Sequence, residues 1–300
     1  MKKLFISLLF LLLCIAYADD INSCQLKPRQ PNWYVDIVSL YPNGAANVII
    51  CYEPTDEGRS AVKRVTLYDS GSIMQETDLM EITEDMPGYK MWNSKIVPHG
   101  MCVDFSSDNK ITKVSRYDQG LLEGEVITYY SQNKIMTKMT YKDGVLQGIM
   151  EGFYENGSKK MVCMYEKGQL NGEYITYYQN GNKAFLKSYK EGKLSGIFKT
   201  WHENGSIKTE QRFNDDLADG DGKNPALVVY DENNTIIEVL DFKKGKYEGF
   251  HIKYHKNGKE SYRVNYNEGK KNGIEYYYSD NKEVIGCGEF KDGMPVGKHW

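Results

Sequence analysis

Written in lines of 24 residues, the chain falls into register with itself, and a period this short makes each unit one supersecondary element that buries its faces only on its neighbours. An aromatic residue heads the lines at Tyr117, Tyr141, Tyr165, Tyr189 and Phe213. Three residues on come Gly120, Gly144, Gly168 and Gly192, with Asp216 in the fifth line, and four further on come Gly124, Gly148, Gly172, Gly196 and Gly220. A second aromatic follows at Tyr129, Phe153, Tyr177 and Trp201, and after it Gln132-Asn133, Asn156-Gly157, Asn180-Gly181 and Asn204-Gly205. The series slips once, and a short insertion at residues 219–225 accounts for the slip. It resumes as Phe242, Gly245, Gly249, Tyr254 and Asn257-Gly258, then Tyr266, Gly269, Gly273, Tyr278 and Asn281-Lys282, and last Phe290, Gly293 and Gly297. Gly100, Phe105 and Asp108-Asn109 hold the register upstream, so about eight units run over residues 97–300.

Each unit reads as a β-hairpin. In Glu173 to Tyr178 alternate residues point to opposite sides, the period of two that strands impose. Asn-Gly predicts a two-residue type I′ turn between the strands of a unit, and Glu191 to Gly196 predicts a longer glycine-punctuated turn between units. The fold class is therefore all-β, an elongated antiparallel β-meander of tandem hairpins. The column Tyr129, Phe153, Tyr177, Trp201, Tyr254 and Tyr278 is expected to form a structural ladder, as is the column from Tyr117 to Phe290. The less regular Tyr130, Tyr154, Tyr174, Tyr178 and Tyr277 are the expected binding surface. Trp300, in the last unit, either caps an open sheet edge or marks a contact.

Residues 1–18 carry Lys2-Lys3, an apolar run from Leu4 to Leu13 and Ala16-Tyr17-Ala18, the order of a secretory signal peptide. The run is shorter than the ~20 residues that span a bilayer. The expected localisation is exported: periplasmic, secreted or at the cell surface. Residues 19–96 read as degenerate N-terminal repeats or a cap, because Leu40 to Gly44 and Leu67 to Gly71 look like decayed turns of the same type. Thr77 to Tyr89 reads as an irregular loop within them.

Charge and side-chain chemistry exclude several functions. With 38 basic against 41 acidic residues, net −3, the chain offers no polybasic surface for nucleic acid and no strong attraction to anionic membranes. Cys163 and Cys287 lie five units apart, roughly 50 Å at ~10 Å per hairpin, far beyond disulfide reach. Any intrachain bond falls among Cys24, Cys51 and Cys102, with Cys51–Cys102 the expected pair. His251 and His255 would sit about 13 Å apart on one strand, and no metal site is expected. Serine-hydrolase, phosphate-loop and metalloprotease motifs are missing, so neither a catalytic residue nor a cofactor is expected, and the chain reads as non-enzymatic.

The pattern aromatic-x-x-Gly-x-x-x-Gly-x-x-x-x-aromatic, followed by Asn-Gly, resembles the MORN repeat, and more closely the variant of the YwqK-type antitoxin family. The resemblance covers roughly residues 97–300. It implies a hairpin sheet used for protein or membrane association, and the antitoxin label implies neutralising a toxin by binding it. An export signal departs from a cytosolic antitoxin, and the acidic balance departs from phospholipid binding. The expected function is an exported scaffold that binds a protein partner through its sheet. The alternatives are an antitoxin- or immunity-like protein and a cell-wall or carbohydrate-binding repeat protein using exposed tyrosines.

Overall fold

A computed structural model describes residues 25–131, 134–297 and 299–300. The signal-peptide reading of residues 1–18 and Cys24 lie outside the described residues. Within them, 25 strands form one open antiparallel sheet in a hairpin meander, in which two-residue strands such as Lys193–Leu194 pair only with the strand before them and the next long strand pairs back past them. The meander begins at Tyr34–Leu40, beside Ala46–Thr55, and Val284–Lys291 pairs with the short Met294–Pro295 at its far end.

Both turn types are present, but in the opposite places from the sequence reading. At the Asn-Gly tips, as in Tyr154 to Ser158, Gly157 N donates to Tyr154 O and Tyr154 N to Ser158 O, both at 2.8 Å. Only the glycine has positive φ there, 85° at Gly157, so each tip is a three-residue loop ending in a left-handed residue. The asparagine acts through its side chain instead: Asn156 Oδ1 accepts the Ser158 N–H at 3.0 Å, and Asn43, Asn180, Asn204 and Asn257 repeat the contact. The type I′ turns lie between units. Asp143 and Gly144 have φ of 52° and 77° and close the pair Lys142–Val145. Lys167-Gly168, Glu191-Gly192, Lys244-Gly245 and Glu268-Gly269 do the same.

Neighbouring units are tied along both hairpin edges. At the type I′ edge, Gly144 N donates to Leu122 O, Gly168 N to Leu146 O and Gly192 N to Leu170 O, at 2.8–2.9 Å. Glu123, Gln147 and Glu248 each accept the other turn N–H of the following unit, from Asp143, Lys167 and Glu268. These contacts hold non-glycine residues in the left-handed region, a conformation L-residues otherwise avoid. Residues 219–226 form an irregular loop between the short strand Leu217–Ala218 and Leu227–Tyr230. Asp221 organises it by accepting Lys223 N, Asn224 N and Asn224 Nδ2, and the Asn224 bonds, with that from Lys223, pull its carboxyl down to about 2.

Residues 25–96 continue the same sheet. Tyr41 to Ala45 and Tyr68 to Ser72 make the tip turn of the later units, with Gly44 and Gly71 at φ 83° and 84°. The expected loop Thr77 to Tyr89 is instead the second half of strand Ile73–Glu81 followed by helix Pro87–Trp92. The helix lies on the sheet: Gly88 abuts Gln119 and Gly120, and Trp92 Nε1 donates to Gly120 O at 2.7 Å.

On the opposite side of these strands, Met101, Val103, Ile111 and Val114 form a buried cluster with Leu26, Phe105 and Tyr129 against it. Beside it Lys63, with none of its surface exposed, places Nζ 2.8 Å from Glu76 Oε1 and 2.8 Å from Asp78 Oδ1. The remaining oxygens are also satisfied, Glu76 Oε2 by Arg29 and Asp78 Oδ2 by the Lys27 N–H, which fastens the segment around Lys27 across the sheet. Burial pushes the Glu76 carboxyl up, but Lys63 and Arg29 together outweigh it and hold it below the usual range.

The expected Cys51–Cys102 disulfide does not form. Cys51 pairs with Lys63 and Lys63 with Asp78, whereas Cys102 pairs with Thr77 and Thr77 with Arg64. The two cysteines therefore sit on opposite faces and three strand spacings apart, roughly 14 Å, beyond disulfide reach. Cys51, Cys102, Cys163 and Cys287 are all free.

Candidate binding face

From residue 134 onward the sheet carries no helix on either side among the described residues, and few side chains are fully buried. Strand pairing sorts its residues between two faces. One face holds the row Met150, Cys163, Tyr174, Lys187, and the parallel row Gly152, Met161, Thr176, Phe185, Thr200, Thr209. Phe198 lies on this face too, opposite Gln211. The other face carries charged pairs such as Lys159–Glu151 at 2.8 Å and Lys199–Glu210.

The first face is aromatic. Tyr174 stacks on Phe185 with centroids 5.7 Å apart and planes 7° from parallel. Phe185 meets Phe198 edge-on at 6.5 Å, and Phe198 meets Phe213 at 6.4 Å. Beyond the insertion the row returns as Phe242, Tyr247 and Tyr266 at 4.7 and 5.0 Å, and as His251, Tyr262 and Tyr277 at 5.2 Å steps. Tyr189 joins through Tyr174 at 6.5 Å. Beneath the rings, burial raises the Cys163 thiol to about 11 and also raises the Tyr174 phenol. Tyr262 donates to Glu275 at 2.6 Å; burial and that bond push its phenol far up.

The repeat columns acquire distinct roles. The leading aromatic lies opposite the second glycine of the adjacent strand: Gly124 with Tyr141, Gly148 with Tyr165, Gly172 with Tyr189, Gly196 with Phe213, Gly249 with Tyr266 and Gly273 with Phe290. Gly100 pairs with Tyr117 in the same way. These glycines have φ between 82° and 103°, a backbone that side chains rarely adopt. Phe153, Tyr177, Trp201 and Tyr278 present backbone carbonyls to the preceding unit, while Tyr129 packs on the buried cluster. Tyr254 opposes Glu260 at its strand end.

The expected binding tyrosines divide. Tyr130, Tyr154 and Tyr178 are half-buried struts rather than an exposed surface, donating to Phe153 O, Tyr177 O and Trp201 O at 2.7–3.0 Å, each 23 residues on. Tyr41 and Tyr68 do the same for Leu67 and Phe105. His255 makes this contact through Nε2, to Tyr278 O at 2.9 Å, whereas His202 in the same column has a buried Nε2 with no partner in the described structure. Tyr174 is half-buried in the aromatic row. Tyr277 remains 46% exposed and Trp300 69%, and the two flank a recess with Glu275, Cys287, Gly288 and His299. Trp300 is backbone-paired with Cys287 in both directions, at 2.7 and 3.0 Å, so its main chain extends the sheet by one rung. Phe185, Lys187, Phe198, Tyr247, Tyr262 and His251 were not marked by the 24-residue columns. Their signal is the strand alternation, which needs the pairing register before it can be read.

The MORN repeat variant matches the chain at residues 122–143, 170–191 and 194–215. No curated protein sequence matches it. Among solved structures, it is similar to the crystal structure of TcdB2-TccC3, with 8% identity and a TM-score of 0.18 over 84% of this chain and 18% of that one. It is also similar to TcdB2-TccC3 without its hypervariable C-terminal region, with 9% identity, TM-score 0.15, and 81% and 18% coverage. The chain thus spans about 18% of the length of each. Over those three segments the chain is similar to the MORN repeat variant, and the chain as a whole is a hairpin-repeat protein of one antiparallel sheet.

Proposed function

We propose that the protein is an exported, non-enzymatic repeat scaffold that holds a protein partner against the aromatic face of its sheet. The observation that carries this reading is the contrast between the two parts of one sheet. Within strands Gly58–Leu67 to Ile111–Asp118, helix Pro87–Trp92 lies on one side and the segment around Lys27 on the other, while strand Tyr34–Leu40 ahead of them is exposed. From Tyr174 to Tyr277 the aromatic row has no covering element among the described residues, and its rings are only half-buried. A contiguous apolar surface of this kind marks an interaction site. Export is supported by the basic, apolar and small-residue order of residues 1–18. The antitoxin-like reading is a narrower form of the same proposal, in which the partner is a toxin.

The test compares what is co-captured by the wild type, by Phe185→Ser/Phe198→Ser on the aromatic face, and by Ile175→Ser/Leu186→Ser on the other, from cells that make the protein. The expected result is a partner lost with the first variant and kept with the second. Retention with the first variant, or capture of cell-wall glycan in place of protein, would overturn the reading.

A further inference from the structure

We propose that the aromatic face between Met161 and Phe213 docks an extended acidic peptide segment, with Lys187 pairing one of its carboxylates; this rests on the reading of that face as the partner surface. Among the strand residues in register on this side of the stretch, Lys187 is the only charged one. Its Nζ lies 5.2 Å from the Phe185 ring and 5.4 Å from the Phe198 ring, held between them by cation–π attraction. No carboxylate shares its side of the sheet in these strands. Further along, the carboxylates of the same face are already matched by cations within the chain, Glu238 by Lys253 at 3.5 Å and Glu275 by Lys271.

Covering Lys187 with a neutral apolar surface would strip water from an unpaired ammonium, which is strongly unfavourable. An occupant therefore has to bring an anion to the middle of an otherwise apolar strip. A second copy of this chain laid face to face meets that strip with another lysine and no acid. The ring spacing favours an extended chain. Tyr174, Phe185, Phe198 and Phe213 step by 5.7, 6.5 and 6.4 Å across the strands, close to the ~6.6 Å between alternate side chains of an extended peptide. A peptide crossing the strands can place every second side chain between successive rings and one carboxylate at Lys187.

The experiment uses fluorescence anisotropy with the full chain and three capped eight-residue probes that carry Ser at every second position and, at the alternate positions sharing one side of an extended peptide, three Leu and a single Glu, Gln or Lys. The Glu probe is expected to bind roughly tenfold more tightly than the Gln probe, the scale of a charge-assisted hydrogen bond, and the Lys probe most weakly. Lys187→Gln should erase the Glu-over-Gln preference, Lys187→Arg should keep it, and Lys199→Gln on the opposite face should leave it intact. Equal binding of the Glu and Gln probes, or a preference that survives Lys187→Gln, overturns the proposal. Failure of all three probes to bind, or binding only to phosphatidylglycerol vesicles, also overturns it. The reading of the face itself stands or falls separately, on whether Phe185→Ser/Phe198→Ser releases the captured partner.

Discussion

Replacing Lys63 by Met removes one cation from between two buried carboxylates while keeping nearly the same volume. Lys63 is fully buried, its ion pairs to Glu76 and Asp78 are both 2.8 Å, and the two acid side chains are only 12% and 10% exposed. With Lys63, Arg29, Glu76 and Asp78 charged the cluster is neutral; without Lys63 it carries one uncompensated negative charge in a place water barely reaches. Removing one partner of a buried pair costs about 3–5 kcal/mol. At about 1.4 kcal/mol per factor of ten, amide exchange in strands Gly58–Leu67 and Ile73–Glu81 should accelerate by two to more than three powers of ten. Repeats contact only their neighbours, so strands Gln169–Tyr177 and Lys183–Lys190 should keep their protection.

The acid response should also invert. Glu76 sits below its ordinary range, so in the wild type its contribution is present at neutral pH and is lost as the pH falls through its folded value. In Lys63→Met burial, which alone raises this carboxyl, gains the upper hand, and mild acid should restore protection. Exchange measured by mass spectrometry at neutral and mildly acid pH reads both effects. Unchanged protection in the two strands, or an equal loss across the distant units, would refute the reasoning.

Three further outcomes follow from the repeat geometry. Tyr154→Phe and Tyr178→Phe each delete one strut hydroxyl to the next unit and should lower stability by about 1 kcal/mol in urea titrations. Lys282→Gly should raise stability by about 0.5–1 kcal/mol, because Lys282 holds φ 71° at the tip position occupied by Gly157, Gly181, Gly205 and Gly258 in other units. Reductant should leave the thermal transition unmoved, since Cys51, Cys102, Cys163 and Cys287 are free; a fall of several degrees would contradict the strand register that separates Cys51 from Cys102.

Periodicity exposed the hairpin meander because the 24-residue columns are backbone requirements: glycines at positive φ and aromatics opposite them. It placed the type I′ turns wrongly because Asn-Gly is compatible with two loop types. What selects between them is the flanking hydrogen-bond pattern, and the true type I′ positions carry Asp, Lys or Glu held by contacts from the preceding unit. Thr77 to Glu81, expected as loop, is strand because Asp78 is buried against Lys63 of the neighbouring strand, a pairing 15 residues distant that no local pattern shows. Tyr130, Tyr154 and Tyr178 looked like ligand-binding groups because their hydroxyl acceptors lie 23 residues away. The aromatic row itself mixes residues from different columns, so only the strand register brings Tyr174, Phe185 and Phe198 together.

The sidedness of the sheet is the central claim, and one strand can test it. Phe198 and Ile197 are adjacent on strand Gly196–Trp201 and point to opposite faces. With a photo-crosslinking p-benzoylphenylalanine at position 198 or at position 197, irradiation of cells making the protein should yield a protein adduct from 198 and none from 197. Equal adducts from both positions, or an adduct from 197 alone, would contradict the account.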